Sequence, residues 1–279
     1  MGLFDKIKEI RREKAVKKHK SVRREYLLNE KTPFDVTEAF RNLKASLSVS
    51  MPAKQGGAAI TVTSSYPEDG KTTVTANLAL MFAMSDAKVV LIDADIRKGR
   101  IAKYFKTKSN PGLSDYLSGL VNLDEILHTS EINENLSYIP CGTHSPKPYE
   151  LLESEKMTQL LEELKTKFDY IVIDTPPILL VSDSLAVAPK TDGTVLVCRH
   201  NLSYVSDMER SLSTLSFAKA NVLGIVVNDY HNTQGKGYGY GSYHGYYHYS
   251  KYSYGYGYSY GSTDPDKSPD DDDQNSKNS

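Results

Sequence analysis

Two runs in the sequence, Val89-Val90-Leu91-Ile92 and Ile171-Val172-Ile173, are apolar without interruption, and each ends directly in an aspartate, Asp93 and Asp174. A strand with one wet face alternates apolar and polar side chains, so unbroken runs of this kind belong to strands covered on both faces. Strands are expected at residues 88–93 and 170–174, and also at 58–63, 136–139, 194–198 and 222–227. Helical patterns fall between them, over residues 71–84, 123–129, 156–167, 182–188 and 204–218. Strand–helix–strand alternation predicts an α/β fold with a doubly wound, mostly parallel sheet.

The chain has 279 residues and 39% hydrophobic content, which suffices for one sizeable core. A formal net charge of −1 argues against general nucleic-acid binding. The charge is uneven, however. Residues 1–30 carry ten Lys/Arg against five Asp/Glu, and residues 262–279 carry six Asp against two Lys, so the two ends are expected to do different things. The organisation read from this is a basic segment over residues 1–31, a domain over 32–230 and a tail over 231–279. In the basic segment Leu3, Phe4, Ile7 and Ile10 are spaced for a short amphipathic helix. Such a helix fits a solvated arm as well as docking to a membrane surface or partner. No run approaches the roughly 18 apolar residues that span a bilayer. No apolar signal core follows the N-terminus, and Lys6 stands where a myristoylation signal needs Ser or Thr. Cys141 and Cys198 form no C-x-x-C pair and read as reduced core thiols. A soluble, cytoplasmic chain is expected.

The strand segment Ile60-Thr61-Val62-Thr63 runs through Ser64-Ser65-Tyr66-Pro67-Glu68-Asp69-Gly70-Lys71-Thr72-Thr73 into an apolar helix. This is the context of a phosphate-binding loop, where backbone N–H groups and the helix N-terminus face an anion. Ser65, Glu68, Asp69, Gly70, Lys71, Thr72 and Thr73 are the candidate contacts to ATP. Lys71 would reach the β- and γ-phosphates and the Thr72 hydroxyl would ligate Mg²⁺, while Gly70 lets the backbone approach the anion closely. The G-x-x-x-x-G-K-T pattern has Ser65 in place of its first glycine. Gly-Lys-Thr in a surface loop is common by chance; between a buried strand and an apolar helix it is rare.

Asp93, Asp95 and Asp174 stand at the carboxyl ends of expected strands, where ligands bind in doubly wound sheets. Asp174 fits the acid that holds Mg²⁺, directly or through water. Asp93 and Asp95 can add metal contacts or accept a proton from an attacking hydroxyl. Any one of them alone would read as a helix cap or a turn residue.

With these motifs in place the sequence resembles the bacterial tyrosine kinases that regulate capsular and exopolysaccharide synthesis, in the form where the kinase is a separate cytoplasmic chain. The matching text comprises the Walker A segment Ser65–Thr72, a second acidic motif at Val90–Asp95 and a Walker B at Ile171–Asp174. It extends to residues 112–119 and 148–152 and to Asp174-Thr175-Pro176-Pro177. Partition and septum-positioning ATPases share the fold, a P-loop NTPase of the partition-ATPase-like group. They carry an extra lysine four residues before the glycine of Gly-Lys-Thr, where this chain has Tyr66. The resemblance implies that Asp93 is the general base toward a tyrosine hydroxyl and that Asp95 and Asp174 serve the metal. It implies that Glu38, Arg41 and Lys44 form an E-x-x-R-x-x-R-like subunit contact in a ring-shaped homo-oligomer, with Lys in the last place. From the residues alone, 38–44 is simply an exposed helix face. Asn228 resembles a base-contacting asparagine, and reads equally as a turn residue. The resemblance further implies a separate membrane activator of the polysaccharide co-polymerase kind, peripheral recruitment to the membrane through it, and a cognate phosphotyrosine phosphatase.

After Val227 the chain has no Val, Ile, Leu, Met or Phe, so the tail cannot build an aliphatic core and is expected to be disordered. Tyr238, Tyr240, Tyr243, Tyr246, Tyr247, Tyr249, Tyr252, Tyr254, Tyr256, Tyr258 and Tyr260 place eleven of the 20 tyrosines within 23 residues. In a Gly/Ser background each phenol can enter an active site without unfolding anything. Each phosphorylation adds about −1.5 to −2 charges, enough to convert a near-neutral segment into a polyanion. The expectation is a kinase that phosphorylates its own tail in trans within an oligomer. The alternative is a non-kinase ATPase switch that positions a membrane or polysaccharide assembly, its tail serving only as a binding or self-associating module.

Overall fold

The computed structural model describes residues 26–51 and 56–230. The expected amphipathic helix near the N-terminus and the tyrosine cluster from Tyr238 to Tyr260 lie outside the described residues. In chain order the elements are α1 (Phe34–Ser50), β1 (Ala58–Ser64), α2 (Lys71–Ala83), β2 (Val89–Asp93), α3 (Ile101–Tyr104), α4 (Leu113–Leu117), α5 (Leu123–Ile126) and β3 (His128–Thr129). They continue with β4 (Leu136–Ile139), α6 (Pro148–Glu153), α7 (Glu155–Lys167), β5 (Tyr170–Asp174), α8 (Asp183–Val187), β6 (Gly193–Arg199), α9 (Val205–Phe217) and β7 (Val222–Asn228). The seven strands form one sheet in the order β3-β4-β2-β5-β1-β6-β7. Every neighbouring pair is parallel except β3 with β4.

The unbroken apolar runs divide between two cores because successive strand side chains point to opposite faces. Val89, Leu91 and Val172 join Ile60 and Val62 against α1 and α2, through Leu47, Val74, Leu78 and Phe82. Val90, Ile92, Ile171 and Ile173 face the other way, onto Met157, Leu160, Leu161 and Leu164 of α7. Those four α7 residues recur at i, i+3, i+4 and i+7, one stripe of an otherwise charged helix. By contrast α2 is buried on every side from Val74 to Ala83, as an apolar helix wedged under another must be. Each fully buried Leu or Ile contributes about 1.5–3 kcal/mol relative to exposure, so both faces of the sheet are strongly held.

The helix expected over residues 123–129 is a single turn followed by a strand. Glu125 accepts the Asn122 N–H and starts α5, but Leu127 is already extended (φ −90°, ψ 114°). His128 and Thr129 then pair antiparallel with Tyr138 and Ser137 of β4. A short apolar run does not separate the two outcomes by periodicity, and here edge pairing on β4 decides it.

Candidate active site

Strands β2, β5 and β1 are consecutive in the sheet; β2 and β5 end level, and β1 runs on past them to Ser64. Asp174 is in register with Asp93 on one side and with Val62 on the other. Their carboxyl ends therefore open into one crevice.

β1 stops at Ser64, and the chain turns through six residues before α2 begins at Lys71. Glu68 and Gly70 have φ of 69° and 92°, left-handed on either side of Asp69. Backbone of this kind gathers successive N–H groups into a nest for an anion, with the N-terminus of α2 behind it. The side chains of the loop turn elsewhere. The Ser65 hydroxyl is buried 2.8 Å from that of Ser211 on α9, which explains how the loop tolerates a side chain at this position. The Glu68 carboxylate accepts from Arg100 at 3.4 Å. The Asp69 carboxylate, fully buried, accepts from the Tyr66 N–H at 3.1 Å and the Ser203 hydroxyl at 3.0 Å. The side chains of two acids in a phosphate loop are thus drawn away from the nest. Thr73 shares a 2.8 Å hydrogen bond with the Tyr104 hydroxyl, and the Asn228 amide donates to the Asp69 carbonyl at 3.0 Å.

At the head of α2, Lys71 lies among carboxylates, its ammonium 3.3 Å from Asp95 and 3.5 Å from Asp174. The Thr72 hydroxyl donates to Asp174 at 2.7 Å and that of Thr75 at 3.3 Å. Asp93 is fully buried and accepts the Ile101 N–H at 2.9 Å. Burial, the charge of Asp174 and that of Asp95 outweigh this bond and Lys71, pushing the Asp93 carboxyl up to about 8. Burial also raises Asp174, against the pull of Lys71 and the Thr72 hydroxyl. Burial works to lower Lys71, but Asp174, Asp95 and Asp93 outweigh it and hold the ammonium above its ordinary range. Three carboxylates facing one ammonium form an oxygen-only donor set short of positive charge, the setting that suits a hard divalent cation. Among the described residues no group of three His, Cys, Asp or Glu is arranged to enclose a metal by itself.

Several residues around the site had no signal in the sequence. Arg97 makes a two-pronged pair with Asp183 on α8, and Arg199 donates to Asp229 and to the Glu68 carbonyl. The one signal that could have found the first of them is the basic run Arg97-Lys98-Gly99-Arg100, which starts two residues after Asp95. Gly99 faces a narrow gap. A Cβ there would lie 2.4 Å from Cys141 Sγ and 2.7 Å from Asp93 Oδ2. Burial, with the Asp93 charge, pushes the Cys141 thiol up to about 12, so it sits there as an inert neighbour. Glu38, Arg41 and Lys44 lie on α1, where the Arg41 guanidinium pairs with Glu38 one turn away.

The AAA domain family matches residues 59–206. A putative tyrosine-protein kinase in the cps region of Klebsiella pneumoniae is 34% identical over 216 residues, 77% of this chain and 30% of that protein. The kinase domain of the Escherichia coli tyrosine kinase ETK superposes with a TM-score of 0.68 at 33% identity, covering 74% of this chain and 80% of that one. The septum site-determining protein MinD of Pyrococcus horikoshii, complexed with Mg-ADP, superposes at 0.53 with 25% identity over 61% of this chain and 70% of that one. The chain spans less than a third of the length of the tyrosine-protein kinases it matches in sequence. No helix among the described residues is long and apolar enough to cross a membrane. A shared sheet relates the chain to both groups, but the higher identity and the superposition over four-fifths of a kinase domain decide between them: it belongs to the AAA-domain family and, within it, to the bacterial tyrosine kinases.

Proposed function

We propose that the chain is a protein-tyrosine kinase that transfers the γ-phosphoryl group of ATP·Mg²⁺ to tyrosines of its own tail. What carries the reading is the convergence of Lys71, Thr72, Asp93, Asp95 and Asp174 at the ends of three adjacent strands. The sequence adds eleven phenols from Tyr238 to Tyr260. The nest at residues 68–70 would hold the phosphates through backbone N–H groups, with Lys71 leaving Asp95 and Asp174 for the β- and γ-phosphate oxygens. Thr72, Asp95 and Asp174 would hold Mg²⁺, which when bound neutralises charge on the transferring group. Asp93 would take the phenol proton as the tyrosine oxygen forms its bond to the γ-phosphorus. The bond from that phosphorus to the β–γ bridging oxygen breaks, and ADP leaves. A carboxylate raised toward neutrality by burial is a better proton acceptor than an ordinary aspartate.

The wider setting we propose takes its support from the relatives' names, one of them in a cps region, and from the tyrosines of the tail. Transfer would occur in trans between copies in a ring-like assembly, with Glu38, Arg41 and Lys44 at the contact. A cytoplasmic chain, recruited by a membrane activator and reset by a phosphatase, would thereby regulate capsular or exopolysaccharide synthesis and export.

The test is to incubate the full chain with ATP·Mg²⁺, with and without an activator fragment, and to map phosphotyrosine by mass spectrometry. Label at 238–260 that disappears in Lys71→Met is expected. Free phosphate without phosphotyrosine under both conditions would instead favour an ATPase switch.

A further inference from the structure

The asparagine that ends β7 reaches into the phosphate loop. Asn228 Nδ2 donates to the Asp69 carbonyl at 3.0 Å, and a carbonyl can only accept, so the amide orientation is fixed by chemistry. The contact is close: a Cβ at Gly70 would lie 1.9 Å from the same nitrogen. Asn228 is itself held, because its carbonyl accepts the His200 N–H at 2.9 Å and it pairs in register with Arg199 of β6. Its neighbour Asp229 holds Arg199 by Nε at 2.9 Å and Nη2 at 2.6 Å. Arg199 Nη1 in turn donates to the Glu68 carbonyl at 3.2 Å. Two consecutive carbonyls of the phosphate loop, those of Glu68 and Asp69, are therefore fixed from the end of the sheet.

The peptide unit is planar and trans, so its C=O and the following N–H point in opposite directions. Holding the Glu68 carbonyl toward Arg199 aims the Asp69 N–H the other way. Holding the Asp69 carbonyl toward Asn228 does the same for the Gly70 N–H. These are the amides of the left-handed stretch that forms the nest. We infer that Asn228 is a positioning residue that aims the loop's backbone amides at the phosphates, so that it controls affinity for the polyphosphate portion of the ligand rather than for its base. The inference rests on the nucleotide reading of this site and is independent of whether the phosphoryl acceptor is tyrosine.

The experiment compares ATP with inorganic tripolyphosphate, which has no base, both with Mg²⁺, by calorimetric titration of the full chain. Asn228→Ala removes the donor, and Asn228→Asp keeps the shape but cannot donate to a carbonyl. Asn228→Ala should lose about tenfold in affinity, the worth of one hydrogen bond, and Asn228→Asp at least as much because its carboxylate adds repulsion; each should lose it equally for the two probes. The melting temperature of the ligand-free variants should match that of the unmodified chain. Weakened ATP binding with unchanged tripolyphosphate binding would overturn the inference in favour of base reading. Unchanged affinity for both probes would overturn it too, as would a lowered ligand-free melting temperature in both variants, which would assign Asn228 to holding β7 in place. If the unmodified chain bound neither probe, the nucleotide reading itself would fall and this inference with it, a result no variant-specific loss resembles.

Discussion

Arg97 and Asp183 form a two-pronged ion pair, with Nε donating to Oδ2 at 2.7 Å and Nη2 to Oδ1 at 3.0 Å. Asp183 is wholly buried and opens α8, while Arg97 is partly exposed and stands two residues after Asp95. The pair therefore ties the turn that holds Asp93 and Asp95 to the layer of helices beside it. Removing Arg97 leaves a carboxylate buried without its cation, which is costlier than removing both groups. Arg97→Ala should lower stability by about 1–3 kcal/mol in urea unfolding, short of a fully buried pair because Arg97 is partly exposed. Asp183→Ala added to it should cost less than the sum of the two single changes, and strict additivity would show that the two residues do not act as a pair.

The raised Asp93 carboxyl predicts how the ligand-free chain responds to pH. An unfolded aspartate loses its proton near pH 4, whereas Asp93 in the fold keeps it up to about 8. Between those values the folded chain binds more protons than the unfolded one, so stability falls as pH rises through the window and levels off above it. One such group limits the slope to about 1.4 kcal/mol per pH unit. Asp93→Asn, which cannot ionise, should flatten the decline when unfolding midpoints are measured from pH 5 to 8 without Mg²⁺. A slope unchanged by that substitution would assign the pH response to other groups.

The sheet was legible in the sequence because burial on both faces leaves unbroken apolar runs, and Val89 to Ile92 cannot be mistaken for a half-wet strand. The carboxylates were legible for a related reason, since parallel strands that start level also end level, which brings Asp93 beside Asp174. What stayed hidden depends on contacts between distant segments. Nothing local to Asp183 says that Arg97 will reach it, and nothing local to Asn228 points to the Asp69 carbonyl. The strand at His128–Thr129 was missed because two residues form a strand only when a neighbour offers an edge. The short helices α3, α4 and α6 were likewise missed, because four to six residues are too few to show a helical period.

Gly99 carries no backbone strain, yet it has no room for a side chain. A Cβ would press on the Cys141 sulfur at 2.4 Å and on Asp93 Oδ2 at 2.7 Å, both far inside normal contact. Cys141 is buried just past the end of β4 and has little freedom to retreat, so the displacement falls on the Asp93 carboxylate. Gly99→Ala is expected to lower the rate of tail phosphorylation by tenfold or more while leaving ATP affinity within about twofold, because a misplacement near 1 Å at a reacting group costs about 100-fold. Measuring both quantities on one preparation separates this from a general loss of fold. Equal loss of ATP affinity would place Gly99 with the nucleotide instead.

Thr194, on β6 between β1 and β7, shows where the domain gives up stability. Its hydroxyl is fully buried and, among the described residues, is the side-chain polar atom left without a hydrogen-bond partner. The pairing of β6 with β7 slips between Thr194 and Val195, while the Thr194 N–H still reaches the Asn221 carbonyl at 2.7 Å. The backbone is thus satisfied and the side chain is not. A buried hydroxyl without a partner costs about 1–3 kcal/mol in desolvation. Valine has nearly the same shape, lacks that cost and favours a strand. Thr194→Val should therefore raise stability by about 1 kcal/mol, or about 2–4 °C in melting temperature for a domain of this size. Thr194→Ala should gain less, because it also gives up a buried methyl group. A lower melting temperature in the valine variant would show that the hydroxyl has a partner after all, such as a buried water bridging the slipped strands.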